Sequence, residues 1–370
     1  MKLTIERATL LRSLSHVQSV VERRNTIPIL SNVKLSADRD SLSLTATDMD
    51  IDIVETTPAT VTTDGATTAP AHTLYDIVRR LPDGSQVEIE AVGENLTLRS
   101  SRPKFSLPCL PTDDFPATPS NALPHQFELA AADLRALIDR THFAISTEET
   151  RYYLNGIYLH ATESNGEPVL RAVATDGHRL ARVETPMPDG ASEMPGVIVP
   201  RKTVAELRKL IDETGTVLSI SLSDTRIRFA FDKAVLSSKL IDGTFPDYQR
   251  VIPADNDKQM SVDRRSLVDA AGRVSAISTE KSRAIKLEVQ PSNLILSATS
   301  PDNGSATEEV EIDYDSTAIE IGFNSRYMLD ILDQIKGDHA SFLMSDASSP
   351  TIVSDSGDAS ALYVLMPMRV

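Results

Sequence analysis

A single cysteine, Cys109, occurs among 370 residues. An internal disulfide is therefore impossible, which fits a reducing compartment, and Cys109 reads as a packing residue rather than a catalytic thiol. Long apolar runs are also missing. Nothing approaches the roughly 20 apolar residues that a membrane-crossing helix needs, and the first residues interleave Glu6, Arg7 and Arg12 with apolar side chains instead of forming a leader core. A cytoplasmic chain without a membrane partner is expected. The motifs of common chemistry are absent as well: no Gly-rich phosphate loop, no dinucleotide fingerprint, no His-Glu-x-x-His, no cysteine pair for zinc and no Gly-x-Ser-x-Gly elbow. The 7 histidines, at positions 16, 72, 125, 142, 160, 178 and 339, lack metal-ligand spacing. No cofactor and no metal is expected. Basic residues are the minority, 37 Lys and Arg against 53 Asp and Glu for a net charge of -16. Spread evenly, that balance argues against a nucleic-acid partner.

What is present is a pattern in triplicate. An alternating apolar pair followed five residues later by Leu occurs as Leu3, Ile5 and Leu10, as Phe127, Leu129 and Leu134, and as Met260, Val262 and Leu267. A helix-opening residue with apolar positions at plus four and plus seven recurs as Pro70, Leu74 and Ile77, as Pro200, Val204 and Leu207, and as Asn324, Met328 and Ile331. Between the two marks sits an Ala-Thr pair, at Ala46-Thr47, Ala174-Thr175 and Ala298-Thr299. The period, about 125 to 133 residues, is too long for stacked solenoid modules and matches the ordinary size of a domain. Three tandem copies of one domain are expected, over 1–124, 125–255 and 256–370.

Within each copy, apolar stripes at helical spacing mark a first helix: Leu10, Leu14, Val17 and Val21; Leu134, Leu137, Ile138 and Thr141; Leu267, Ala271 and Val274. Period-two alternation marks strands at Val33 and Leu35, Leu42 and Leu44, Val87 and Ile89, Leu96 and Leu98, Ile157 and Leu159, Ile227 and Phe229, and Ile285, Leu287 and Val289. Each copy reads as α+β, two helices on an antiparallel sheet. The helices' other faces carry cations: Arg7, Arg12, His16, Arg23 and Arg24; Arg79 and Arg80; Arg135, Arg140 and His142; Arg201, Lys202, Arg208 and Lys209; Arg264, Arg265 and Arg273; Arg326 and Lys336. Such residues on one helix are usually just solvated. Six alike, if symmetry gathers them on one surface, would attract a polyanion by backbone charge.

Thr175-Asp176-Gly177-His178-Arg179-Leu180 admits three readings. Asp176 and His178 could serve as acid and base; the segment could be a plain polar turn; or it could form a binding wall, with Leu154, Leu180 and Val251 apolar and Thr175, His178 and Arg179 at the rim. The apolar tail from Tyr363 to Val370 either completes a sheet or offers an adaptable Met-rich contact surface.

Arg151-Tyr152-Tyr153-Leu154-Asn155-Gly156, Ala174-Thr175-Asp176-Gly177-His178-Arg179-Leu180, Val199-Pro200-Arg201-Lys202, Ser238-Lys239-Leu240, Phe245-Pro246-Asp247-Tyr248 and Met366-Pro367-Met368-Arg369 closely resemble the beta subunit family of bacterial DNA polymerase III, the sliding clamps. The likeness runs from Met1 to the last residue. It implies a non-catalytic processivity factor: a head-to-tail homodimer closing a ring around double-stranded DNA, opened by a clamp loader and tethering the replicative polymerase and repair proteins by short peptides. By resemblance, Arg24, Arg151, Tyr152, Tyr153, Arg201 and Lys202 contact DNA. The implied peptide pocket is Leu154, Thr175, Gly177, His178, Arg179, Leu180, Pro246, Arg250, Val251, Val364, Met366, Pro367, Met368 and Arg369. The implied dimer seam sets Lys104, Phe105 and Leu107 against Ile277, Glu308, Glu309 and Glu311. Two features depart from the family: His72 stands where relatives often carry Arg, and Glu148 and Glu149 add negative charge beside Arg151.

Overall fold

The computed structural model describes residues 1–117, 122–211, 216–278 and 283–369; Val370, the end of the apolar tail, lies outside them. Helices form where the stripes predict them: α1 (Arg7–Val20), α2 (Ala71–Arg79), α3 (Ala131–Asp139), α4 (Arg201–Ile211), α5 (Arg264–Ser275) and α6 (Ser325–Leu332). Side-chain caps fix several starts. Glu6 accepts the Thr9 amide at 2.8 Å, Asp263 that of Ser266 at 2.7 Å, and Asn324 those of Arg326 and Tyr327, satisfying amides that lack a helical acceptor. Leu10, Leu14, Val17 and Val20 are fully buried along α1, each contributing on the order of 1.5–3 kcal/mol over exposure.

Contacts divide the chain into two compact units, Met1–Arg135 with Pro188–Ile241, and Ala136–Met187 with Asp242–Val370. In the first, one antiparallel sheet runs Thr60–Thr63, Lys2–Glu6, Gln86–Val92, Asn95–Arg99, Lys104–Pro108, so the last strand is an edge. The other runs His125–Ala130, Val217–Leu222, Arg226–Ala230, Ala234–Lys239, Ile51–Pro58, Ser41–Thr47, Asn32–Asp38, Gly65–Pro70. Its central seam joins two repeats, with Glu55 opposite Ala234 and Ile53 opposite Leu236. In the second unit the order is Gly156–Ser164, Glu167–Thr175, Arg179–Pro186, Asp358–Leu365, Thr351–Asp355, His339–Met344, Lys258–Asp263, Gly304–Asp313, Asn293–Ser300, Ala284–Gln290, Ile319–Asn324. A seam recurs there, pairing Arg179 with Leu365 and Leu180 with Val364. Two of these three sheets are thus shared between repeats, where the pattern suggested one per repeat; the five-stranded sheet stays within the first.

Two helix-face cations are not on the surface. His16 is buried beside Ser13 on the inner side of α1, and its Nδ1 lies 2.7 Å from Glu55 Oε2 while Ser13 Oγ donates to Glu55 Oε1 at 2.9 Å. Arg140, just past α3, is 5% exposed; its guanidinium donates to Ser360 Oγ at 3.0 Å and to Tyr363 Oη at 3.3 Å, and sits 2.8 Å from Asp358 Oδ2. A buried charge persists only with such partners. His72 also has a local task, its Nε2 lying 2.9 Å from the Val21 carbonyl.

Candidate functional site

In the second unit, strands Glu167–Thr175 and Arg179–Pro186 are joined by a turn that is held from within. Thr175 Oγ1 accepts the Gly177 amide at 3.1 Å and donates to the Arg179 carbonyl at 2.7 Å. Asp176 Oδ1 accepts the amides of His178 and Arg179 at 2.9 and 3.0 Å, and its Oδ2 accepts from Arg179 Nε at 3.1 Å. The Asp176 carboxylate is engaged at both oxygens and does not address the His178 ring, so the acid-base reading loses its geometry. Gly177 has φ 86°, the left-handed region that favours glycine.

Arg179, expected at a polar rim, is 8% exposed. Besides Asp176, its Nη1 donates to Asp330 Oδ2 on α6 at 2.5 Å and its Nη2 to the Phe143 carbonyl at 2.7 Å. Its Cζ lies 4.4 Å from the Tyr327 ring centroid and 5.0 Å from that of Phe143, each such contact worth about 0.5–2 kcal/mol. Tyr327 in turn stacks on the exposed His178 at 5.8 Å. The tail closes over this turn: the Met366 amide donates to the His178 carbonyl at 2.9 Å and the Met368 amide to the Gly322 carbonyl at 2.9 Å. Leu180 and Val364 are buried in the shared sheet beneath. Beside the tail lies a cleft of about 590 Å³ lined by Lys286, Gly322, Ser348, Pro367, Met368 and Arg369, among others.

The Arg151-Tyr152-Tyr153 segment lies against the same turn. A Cβ on Gly177 would stand 2.8 Å from Arg151 Nη1, and one on Gly243 would stand 3.1 Å from Tyr153 Cβ. Arg151 also pairs with Glu148 at 3.2 Å, which answers the acidic departure noted above. Leu154 is buried behind this segment. Pro246, Arg250 and Val251 are exposed around the short helical turn Tyr248–Val251, and Arg250 pairs with Asp247 at 2.9 Å. Tyr248 fixes that turn. Its hydroxyl lies 2.8 Å from Arg171 Nη1 and 3.0 Å from His160 Nε2, while Arg171 shares Glu184 with Arg182. Burial pushes the His160 imidazole below its usual pKa. Phe143, Tyr327, Asp330, Tyr248 and Arg171 were missed by sequence reasoning, because nothing local marks a residue that supports a distant turn.

The first unit repeats the turn with other side chains. Thr47 Oγ1 accepts the Met49 amide at 3.0 Å, and Asp48 Oδ1 accepts those of Asp50 and Ile51 at 2.9 and 2.7 Å. Met49, at φ 79°, replaces Gly177, and Ile51 replaces Arg179. The scaffold is duplicated; the caged guanidinium is not. Among the expected DNA contacts of this unit, Arg24 and Arg201 are exposed. Lys202 is held by Glu22, by Asp48 at 2.6 Å and by the Val20 carbonyl at 3.2 Å. Burial opposes its charge, but the Asp48 and Glu22 hydrogen bonds outweigh this and hold its pKa above the usual value.

Apart from Ile277, the residues expected at a dimer seam lie on strands at sheet edges or open sides. Lys104, Phe105 and Leu107 belong to the edge strand Lys104–Pro108 of the first unit. Glu308, Glu309 and Glu311 belong to Gly304–Asp313 of the second, which pairs along one side with Asn293–Ser300 but on the other only through Ile312 and Asp313. That open side borders a cleft of about 900 Å³. Glu308 is already paired with Arg273 at 2.5 Å, which holds its carboxyl below the usual range. Ile277 is half-buried nearby in sequence to α5.

Three tandem copies of a unit of two helices and antiparallel sheet, with the chain's own tail laid over the His178 turn, define a DNA-clamp protein. Residues 1–119, 128–247 and 249–369 match, in turn, the N-terminal, central and C-terminal domains of the DNA polymerase III beta subunit. The chain is 53% identical over 372 residues to the beta sliding clamp of Caulobacter vibrioides, covering all of both. Among solved structures, it is similar to a Caulobacter crescentus beta sliding clamp, with TM-score 0.97, 53% identity and coverage of 100% and 99%. It is also similar to a Bartonella birtlesii sliding clamp bound to griselimycin, with TM-score 0.97, 48% identity and full coverage of both. The chain belongs to the bacterial DNA polymerase III beta subunit family, the sliding clamps, which are processivity factors of replication and not enzymes.

Proposed function

We propose that this chain acts in the cytoplasm as a replicative sliding clamp of three domains, 1–124, 125–255 and 256–370, that tethers the replicative polymerase, clamp loader and repair proteins to duplex DNA. Partners' short peptides are bound by His178, Thr175, Gly177, Pro246, Arg250, Val251, Met366, Pro367, Met368 and Arg369, with Leu154, Arg179, Leu180 and Val364 as the packed layer behind. The observation that carries this reading is the hydrogen bond from the Met366 amide to the His178 carbonyl, which unites pocket residues far apart in sequence. Arg24, Arg151, Tyr152, Tyr153, Arg201 and Lys202 are assigned to DNA, through phosphate charge rather than base reading. The Lys202 ammonium must trade Glu22 or Asp48 for a phosphate to take part.

The two strand edges support a head-to-tail homodimer. A cationic edge strand bearing Lys104 complements an open edge bearing Glu309 and Glu311, and an edge of that kind readily accepts a strand from another copy. The test is retention on DNA after loading by a clamp loader. The protein should stay on nicked circular plasmid through a salt wash and slide off once the plasmid is cut. Equal retention on circle and linear DNA would reject a topological link.

A further inference from the structure

We propose that Arg140 and Tyr363, both buried, are positioning residues for the peptide pocket, acting on His178 through Phe143, Arg179 and Tyr327. This inference rests on the pocket reading above. The contacts form an unbroken series within the second unit. Arg140 Nε donates to Tyr363 Oη at 3.3 Å; the Tyr363 ring lies 6.0 Å from that of Phe143; the Phe143 ring is 5.0 Å from Arg179 Cζ and its carbonyl accepts Arg179 Nη2 at 2.7 Å. The Tyr327 ring centroid lies 4.4 Å from the same Cζ, and the ring stacks on His178. Arg140, Tyr363 and Arg179 are buried, Phe143 and Tyr327 half-buried, and His178 exposed.

A second route runs through the backbone. Arg140 holds the start of strand Asp358–Leu365 at Asp358 and Ser360. That strand lies in register with Arg179–Pro186, Leu365 opposite Arg179, and continues into Met366, whose amide meets the His178 carbonyl. The height of the tail over the turn is thus set from the strand's far end by one guanidinium. Arg140 also differs from a generic buried cation in its company. It has one carboxylate, two hydroxyls and no phosphate-facing exposure, so its cationic character serves the interior.

Griselimycin, the ligand of the Bartonella birtlesii clamp, serves as probe on the intact homodimer, with affinity read by calorimetry. His178→Ala reports on the pocket and should weaken binding about tenfold. Tyr363→Phe removes only the hydroxyl and keeps the ring on Phe143; Arg140→Lys keeps the charge and loses the fork. Each should weaken binding about 3- to 10-fold, with dimer size and retention on nicked circular DNA unchanged. In the Tyr363→Phe/His178→Ala double variant the losses should not multiply, because both act at one point. A purely structural role would lower the unfolding midpoint and leave affinity alone. Wild-type affinity in folded Tyr363→Phe, or losses that multiply, overturns the inference and leaves the pocket standing. Wild-type affinity in His178→Ala removes the pocket reading and this inference with it. Tyr363→Phe decides the matter should Arg140→Lys fail to fold.

Discussion

Gly177 meets two demands at once, a φ of 86° and a neighbour, Arg151 Nη1, 2.8 Å from where a Cβ would stand. The equivalent turn of the first unit separates them. Met49 adopts φ 79° with its side chain 48% exposed, so the hydrogen-bonded turn tolerates a side chain at roughly the 1–2 kcal/mol that the left-handed region costs. Gly177→Ala should therefore lower the free energy of urea unfolding by about 1–2 kcal/mol, yet lose griselimycin affinity disproportionately, since Arg151 must move away from the turn. Unchanged affinity would mean that Arg151's approach to Gly177 is incidental. At this scale the composition of the turn was legible, because Thr, Asp and Gly each favour it for local reasons. The burial of Arg179 was not. Its partners, Phe143, Tyr327 and Asp330, come from other elements, and a guanidinium in a turn ordinarily reads as solvated.

Helices and strands were legible where their cause is local. All three first helices bury the predicted Leu10, Leu134 and Leu267, because a 3.6-residue period commits one face whatever lies opposite. Which strands pair is a non-local property, and Ile51–Pro58 shows why it escaped notice: Ile51, Asp52 and Ile53 are all buried, so alternation is lost and no face is marked. The polar residues between α1 and that strand act as a rivet. Glu55 serves His16 and Ser13 together. Glu55→Ala should leave two buried polar groups without their carboxylate, at about 1–3 kcal/mol for each. Equilibrium urea unfolding checks this; a loss below about 1 kcal/mol would show that α1 is held by its apolar stripe alone.

For the molecule as a whole, charge distribution matters more than the net value of -16. Many helix-face cations are answered close at hand: Arg79 by Asp76, Arg273 by Glu308, Lys209 by Glu206, Lys202 by Asp48. The exposed pair Arg79–Asp76 contributes little to stability, but all four pairs lower the charge left for a polyanion. On the open strand edge, Glu309 and Glu311 remain exposed. Reversing both to Lys should turn the dimer into monomer by light scattering, and adding Lys104→Glu should restore part of it. A dimer that ignores the reversal would place the seam elsewhere.

The seam between Ile51–Pro58 and Ala234–Lys239 also constrains biosynthesis. The earlier strand leaves the ribosome on the order of 10 s before its partner at bacterial elongation rates. Throughout that interval the backbone N–H and C=O groups of residues 51–55 lack the partners that residues 234–238 will supply, an open edge prone to pairing with other chains. The order of the strands thus makes completion of this sheet wait for the second repeat to be synthesised.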